Sequence, residues 1–190
     1  MAPPDSGAAT GRSEAGTQDL HPINMVLADY DRTRPLVDGR VKPAGIALDA
    51  KVQWVGDFCT RPVYEEFDAA EISLSWYVAA RDRGEACIAI PVFPLRDPMW
   101  AFMYVRADSP ITQPSHLIGK RIGAQGYRYT VNLWLRGLLK EYYGFSPEQA
   151  TWVTNEEEAN GYVIPSHIPV ELRPGKSPVE RLREIGRAHV

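Results

Sequence analysis

Short apolar runs alternate along this chain with polar breaks marked by Gly and Pro, and the period of each run predicts its element. Ile23 to Ala28 is nearly continuous and predicts a buried strand; Gly45 to Val55 alternates apolar with polar positions and predicts a half-exposed one. Between them, Pro35 to Gly39 makes a short turn or helix. Gly56 to Phe67 predicts a helix interrupted near Pro62, with Phe58, Val63 and Phe67 on its apolar face, and Ala69 to Ser73 a short strand. Trp76 to Arg83 has helical composition and stops at Gly84. Cys87 to Val92 and Met99 to Arg106 read as two further strands, and His116 to Ile118 as a short helix.

A second series begins with a strand at Lys120 to Ala124, broken at Gly126 before the clearest helix of the chain, Tyr129 to Tyr143. Leu133, Leu135, Leu138, Leu139 and Tyr142 give that helix a broad apolar face, Trp134 packs at its margin and Gly144 stops it. Ser146 and Pro147 start another short helix, Thr151 to Thr154 and Val170 to Arg173 add strands, and a last helix is expected from Ser177. Strands alternating with helices predict the α/β class. A hinge between the two series is expected near Ala107 to Thr112.

Composition narrows the possibilities. The 190 residues are 44% hydrophobic, enough for one full domain or one and a half smaller ones. A net charge of −3, with Lys and Arg spread along the chain, gives no basic patch, so no nucleic-acid partner is expected. No run reaches the ~18 consecutive apolar residues of a membrane span. Cys59 and Cys87 lack the spacing of a zinc or redox motif and are expected to be reduced thiols; no metal site and no cofactor are expected. Residues 1–22 are rich in Ala, Gly, Ser, Pro and Asp without the apolar core of a signal peptide. They are expected to form a disordered leader on a cytoplasmic protein, or a periplasmic one if a signal peptide has been lost upstream. Glu184 to Val190 reads back into the start of a common sequencing adapter, so this segment is expected to be a non-native tail after a genuine end near Arg183.

Candidate chemistry gathers where apolar strands end. Asp29-Tyr30-Asp31-Arg32-Thr33-Arg34 follows the first strand, and similar loops recur at Glu71 to Tyr77, Pro91 to Arg96 and Gly126 to Thr130. Loops at the carboxyl ends of strands are where open α/β sheets bind ligands, so one shared cleft is expected. Backbone N–H groups near Gly126, the Thr130 hydroxyl and Arg128 would suit a carboxylate or phosphate; a plain helix cap with Arg128 in solvent is equally compatible. Arg32, Arg34 and Arg96 have the guanidinium fork for carboxylates, or they pair with Asp29, Asp31 and Asp97. Ser73, Ser75 and Tyr77 would hydrogen-bond a ligand's oxygens, or the serines cap the helix that follows.

The blocks Asp29 to Gly39, Phe67 to Tyr77, Arg81-Asp82-Arg83-Gly84, Ala89 to Pro94 and Gly119 to Gly123 together resemble the 4,5-dihydroxyphthalate decarboxylase family. The resemblance runs from about Ile23 to about Arg183. It implies a fold similar to type 2 periplasmic solute-binding proteins: two α/β domains around a cleft, residues 23–107 and 108–183, the second incomplete. It also implies a small aromatic carboxylate as ligand. Decarboxylation of a hydroxylated aromatic acid needs an acid, a phenol-activating base and a carboxylate holder. Glu71 or Asp29 would be the acid if burial raised its pKa, Tyr30 and Tyr127 would contact a ring hydroxyl, and Tyr129 lies in the same loop as Tyr127. One departure stands out. Where the family pattern carries an aromatic followed by Arg-His, this chain reads Asp97-Pro98-Met99-Trp100, which weakens proton-transfer chemistry and implies a different ligand. The alternative to a cofactor-free lyase is a solute-binding protein serving a transporter permease.

Overall fold

In the computed structural model, residues 19–159, 161–177 and 179–183 are described; residues 1–18 of the expected leader and all of the expected tail lie outside them. The first half is built on β1 (His21–Leu27), β2 (Ile46–Val52) and β3 (Ala69–Ala70), all parallel, in the order β2-β1-β3. β1 starts earlier than the apolar run predicts. His21 and Pro22, assigned from sequence to the leader, pair with Ile46 and Ala47, and the His21 N–H donates to the Gly45 carbonyl at 2.9 Å. Polar or proline residues join a strand when a neighbour's backbone is in register.

Short helices α1 (Arg34–Val37) and α2 (Val55–Cys59) connect these strands. α3 (Leu74–Asp82) leaves β3 and ends beside Gly84, whose φ of +81° suits glycine alone. Val26 of β1, Phe58 and Cys59 of α2, Val63 of the 3₁₀ turn that follows, and Trp76 of α3 close one core.

The second half repeats the scheme. β4 (Arg121–Ala124), β5 (Thr151–Thr154) and β6 (Val170–Leu172) form a parallel sheet in the order β4-β5-β6, crossed by α4 (Thr130–Tyr143). Leu139, Phe145, Trp152 and Tyr127 lead its core. α4 ends as its sequence predicts: Gly144 takes the left-handed conformation at φ +63°, and the N–H groups of Gly144 and Phe145 return to the carbonyls of Lys140 and Leu139. Residues 179–183 are helical, and Ser177, just before them, exchanges reciprocal capping bonds with Glu180.

Two strand expectations fail. Cys87 to Val92 runs as irregular backbone, with Ile88 90% exposed, and Met99–Phe102 forms a 3₁₀ turn. An apolar run becomes a strand only when it pairs with another strand's unpaired N–H and C=O groups; among the described residues neither segment joins an edge of either sheet. β3 is also shorter than expected, pairing only at Ala69 and Ala70. No helix among the described residues is long and apolar enough to cross a membrane.

Because every strand is parallel within its sheet, the carboxyl ends of each sheet open on one side. α3 and α4 pack against each other, which brings the loops after β3 and β4 into contact. Replacing Gly144 by Ala should cost about 1–2 kcal/mol, because an L side chain is strained in the left-handed region. A shift in the urea midpoint with an unchanged slope would measure it, and no shift would remove Gly144 as the stop of α4.

Candidate functional site

On the first side of the seam, the backbone of β1 aims Ala28 at the loop after β3. The Ala28 N–H donates to Glu71 Oε2 at 3.0 Å, and the Tyr30 hydroxyl donates to Glu71 Oε1 at 2.7 Å. Burial, followed by this hydrogen bond, holds the Tyr30 phenol well above its usual pKa. The Arg32 guanidinium lies 5.2 Å from the Tyr30 ring centroid and its Nε donates to the Pro94 carbonyl. Glu71 therefore accepts a hydrogen bond on each oxygen, one from the backbone and one from a phenol. Asp29 is exposed and clasped by Arg34, with Nη2 2.6 Å from both carboxylate oxygens. It lacks the burial on which the acid role expected from sequence depended.

The seam itself is a knot of hydroxyls. Thr130 Oγ1 accepts the Ser75 N–H at 2.9 Å, donates to Ser75 Oγ at 3.0 Å and lies 2.5 Å from Ser73 Oγ. With its one proton spent on Ser75, Thr130 takes the Ser73 proton, and its capacity is full. Ser73 sits at the N-cap of α3, which starts at Leu74 rather than Trp76, yet its hydroxyl crosses to α4 instead of capping its own helix. The Ser73 N–H points to Cys59 Sγ at 3.4 Å, and burial pushes the Cys59 thiol up to about 11. Tyr77 uses its hydroxyl to accept the Ala89 N–H.

On the second side, the loop after β4 divides its residues between core and seam. Tyr127 belongs to the core: its ring meets Trp152 edge-on at 5.7 Å and lies beneath the Arg136 guanidinium at 3.7 Å. Contact with a ligand's ring hydroxyl, expected from sequence, is closed to that buried ring. Arg128 is not a solvent cation but 4% exposed, its guanidinium 3.5 Å from the Trp76 ring centroid. Burial lowers its pKa from the usual arginine range. The Tyr129 hydroxyl donates to Glu156 Oε1 at 2.6 Å. Glu158 Oε1 accepts the N–H groups of both Tyr127 and Arg128, at 2.6 and 3.1 Å.

Glu156 and Glu158 are the residues that the sequence pattern did not single out. The available signal was an acidic triplet directly after β5, opposite a loop with unspent N–H groups. Arg96 stays outside this assembly, exposed and 5.5 Å from the Phe93 ring centroid. Trp100, beside the departure from the family pattern, packs edge-on against Tyr143 of α4 at 6.1 Å.

A cavity of about 50 Å³ opens at the seam between Thr60, Trp76, Gly126, Tyr129, Glu156 and Ala159. A larger one of about 210 Å³, lined by Met103, Ile122, Leu135 and Trp152 with Arg121 and Arg181, shares no residue with it. The seam is the better candidate, since Glu71, Tyr30, Ser73, Ser75, Arg128, Tyr129 and Thr130 converge there and the larger cavity offers mainly apolar wall. Among the described residues no group of His, Cys, Asp and Glu could hold a metal ion.

No family model matches the chain. Over 148 residues, 77% of the chain, it is 36% identical to a 4,5-dihydroxyphthalate decarboxylase of Comamonas testosteroni, covering 43% of that protein. Over 160 residues, 80% of the chain, it is 33% identical to a 4,5-dihydroxyphthalate decarboxylase of Pseudomonas putida, covering 62% of it. The chain thus spans about half the length of these curated relatives.

Thr130→Val should cost about 1–3 kcal/mol by orphaning the Ser75 N–H and two hydroxyls, while Thr130→Ser should keep most of that stability. Urea unfolding of both variants checks it; equal losses would mean that the methyl group, not the hydroxyl, holds the seam. The raised Cys59 thiol also fixes a sign. Its neutral form is favoured in the fold, so its contribution is whole below pH ~9 and disappears as pH climbs through the folded value. Stability should fall across that alkaline window, and less steeply in Cys59→Ala.

Proposed function

Since the matched residues place this chain in the 4,5-dihydroxyphthalate decarboxylase family, we propose that it acts as a cofactor-free, decarboxylase-like lyase on a small hydroxylated aromatic carboxylate. The ligand sits between two α/β domains, residues 23–107 and 108–183, arranged like those of a type 2 periplasmic-binding protein. The carrying observation is the Tyr30–Glu71 pair, fixed by the Ala28 N–H at the carboxyl edge of the first sheet, with Glu71 two residues before Ser73, whose hydroxyl bonds Thr130 at the amino end of α4.

In 4,5-dihydroxyphthalate each ring hydroxyl stands para to a carboxylate. Glu71, relayed by the Tyr30 hydroxyl, takes the proton of one ring hydroxyl, and the electron pair moves through the ring to the para carbon. That carbon takes a proton, its bond to the carboxylate breaks, CO₂ leaves and the ring hydroxyl recovers its proton from Glu71. One solvent proton replaces one CO₂ overall. Arg32, stacked near Tyr30, neutralises the anionic ligand.

A second reading, a non-catalytic solute-binding protein that serves a transporter permease, is favoured by the Met99-Trp100 pair where the family pattern carries Arg-His. Direct measurement of CO₂ from 4,5-dihydroxyphthalate and from hydroxybenzoates separates the two. Release by the native chain, falling about 10²- to 10⁴-fold in Glu71→Gln, is expected for the lyase. Tight binding of either ligand with no CO₂ would leave only the binding protein. Arg96→Ala should change ligand affinity by less than about 0.5 kcal/mol, given its exposure, and a larger loss by calorimetry would return Arg96 to the site.

A further inference from the structure

Two consecutive backbone N–H groups that converge on one oxygen make a small anion receptor, here at the amino end of a 14-residue helix whose dipole adds to the attraction. Tyr127 and Arg128 supply the pair, and the oxygen they hold belongs to the chain's own Glu158. Beside it stands a cation out of water. Arg128 is 4% exposed and Glu158 has a side chain 10% exposed. Their fit is incomplete. Arg128 Nε stays 3.7 Å from Glu158 Oε2, and neither Nε nor Nη1 has a hydrogen-bond partner, while Nη2 reaches only the Ala159 carbonyl at 2.9 Å. A guanidinium takes a carboxylate best through two parallel N–H bonds, and Glu158, tethered by its backbone, supplies none of them.

The surroundings leave room for a different occupant. A Cβ on Gly126 would sit 2.8 Å from the Tyr129 ring and 3.6 Å from Glu158 Oε1, so the floor of the receptor is kept bare. The adjoining cavity of about 50 Å³ has Trp76, Tyr129 and Glu158 in its wall. It holds about one or two waters and no aromatic ring, so a larger ligand enters only if the segment that carries Glu158 moves.

We infer that the N–H groups of Tyr127 and Arg128 and the Arg128 guanidinium form a receptor for a ligand carboxylate, which Glu158 fills in the empty chain and leaves when ligand arrives. Glu158 is then a resident competitor. It satisfies the receptor's N–H groups without ligand, and its departure frees both those groups and the Arg128 fork for a carboxylate that can approach in the plane of the guanidinium. The inference deepens the proposed function by naming where the carboxylate sits, and rests on that reading for the ligand's aromatic character.

Calorimetric titration with phthalate tests it on the full chain, with circular dichroism confirming folding. Removing an internal competitor raises the fraction of open receptor, so Glu158→Ala should bind phthalate at least about tenfold more tightly than the native chain. Adding Arg128→Met to Glu158→Ala should abolish the gain. Should Glu158→Ala fail to fold, Glu158→Gln, which keeps an oxygen for the two N–H groups and removes the charge, should still gain severalfold. Unchanged or weaker binding by a folded Glu158 variant overturns the inference and makes Glu158 a structural cap, whatever the CO₂ assay shows. A gain in phthalate affinity with no CO₂ from 4,5-dihydroxyphthalate would keep the receptor and dismiss the lyase.

Discussion

One side-chain oxygen, Thr130 Oγ1, holds the seam on which everything else in this structure converges. Ser73 and Ser75 stand at the start of α3, Thr130 at the start of α4, and each hydroxyl gives its bonding capacity to the other half. The amino ends of both helices therefore face one another. Two positive dipole ends brought close would repel, and the seam answers with acceptors: Glu71 on the first side, Glu156 and Glu158 on the second. An anionic ligand placed there meets the same field those carboxylates meet.

The field also distinguishes the acidic residues. Asp29 spends its charge on Arg34 in solvent, where an ion pair is worth little. Glu71 is half-buried and has a backbone donor and a phenol fixed on it, so its lone pairs are oriented before any ligand arrives. In the proposed lyase these oriented acceptors would take the base half of acid–base chemistry. The nearby Tyr30 phenol, held protonated by burial, is a proton carrier rather than a phenolate.

Local rules made much of the fold legible. β1, α3, α4 and β5 follow from apolar runs bounded by Gly or Ser, signals that act within a few residues. The failures came from contacts distant in sequence. Cys87 to Val92 has strand composition, yet no described strand pairs with it. Arg128 looked like a solvent or ligand cation because nothing near it in sequence shows that Trp76 will lie 3.5 Å from its guanidinium. Tyr127 went into the core for the same reason: Trp152 and Arg136 meet it through folding, not through spacing. The site loops themselves were legible as strand ends: Ser73, Ser75, Arg128, Tyr129 and Thr130 lie along the seam, and Tyr30 and Glu71 bond each other at the carboxyl edge of the first sheet. Asp29 and Arg96 face solvent instead.

A buried pair such as Arg128 and Glu158 is a weak source of stability, because desolvating two charges cancels much of their attraction unless every donor is matched. Here the matching is visibly unfinished, with Nε and Nη1 left bare against the Trp76 ring. Cation–π attraction to Trp76 and Tyr162 offsets part of that loss without supplying acceptors. A guanidinium kept dry, flat against an aromatic ring and short of acceptors is poised for a planar carboxylate arriving edge-on. The same features make the empty arrangement costly to the fold, so the deficit in Arg128's hydrogen bonds is a store of binding energy released only when a better-placed carboxylate replaces Glu158.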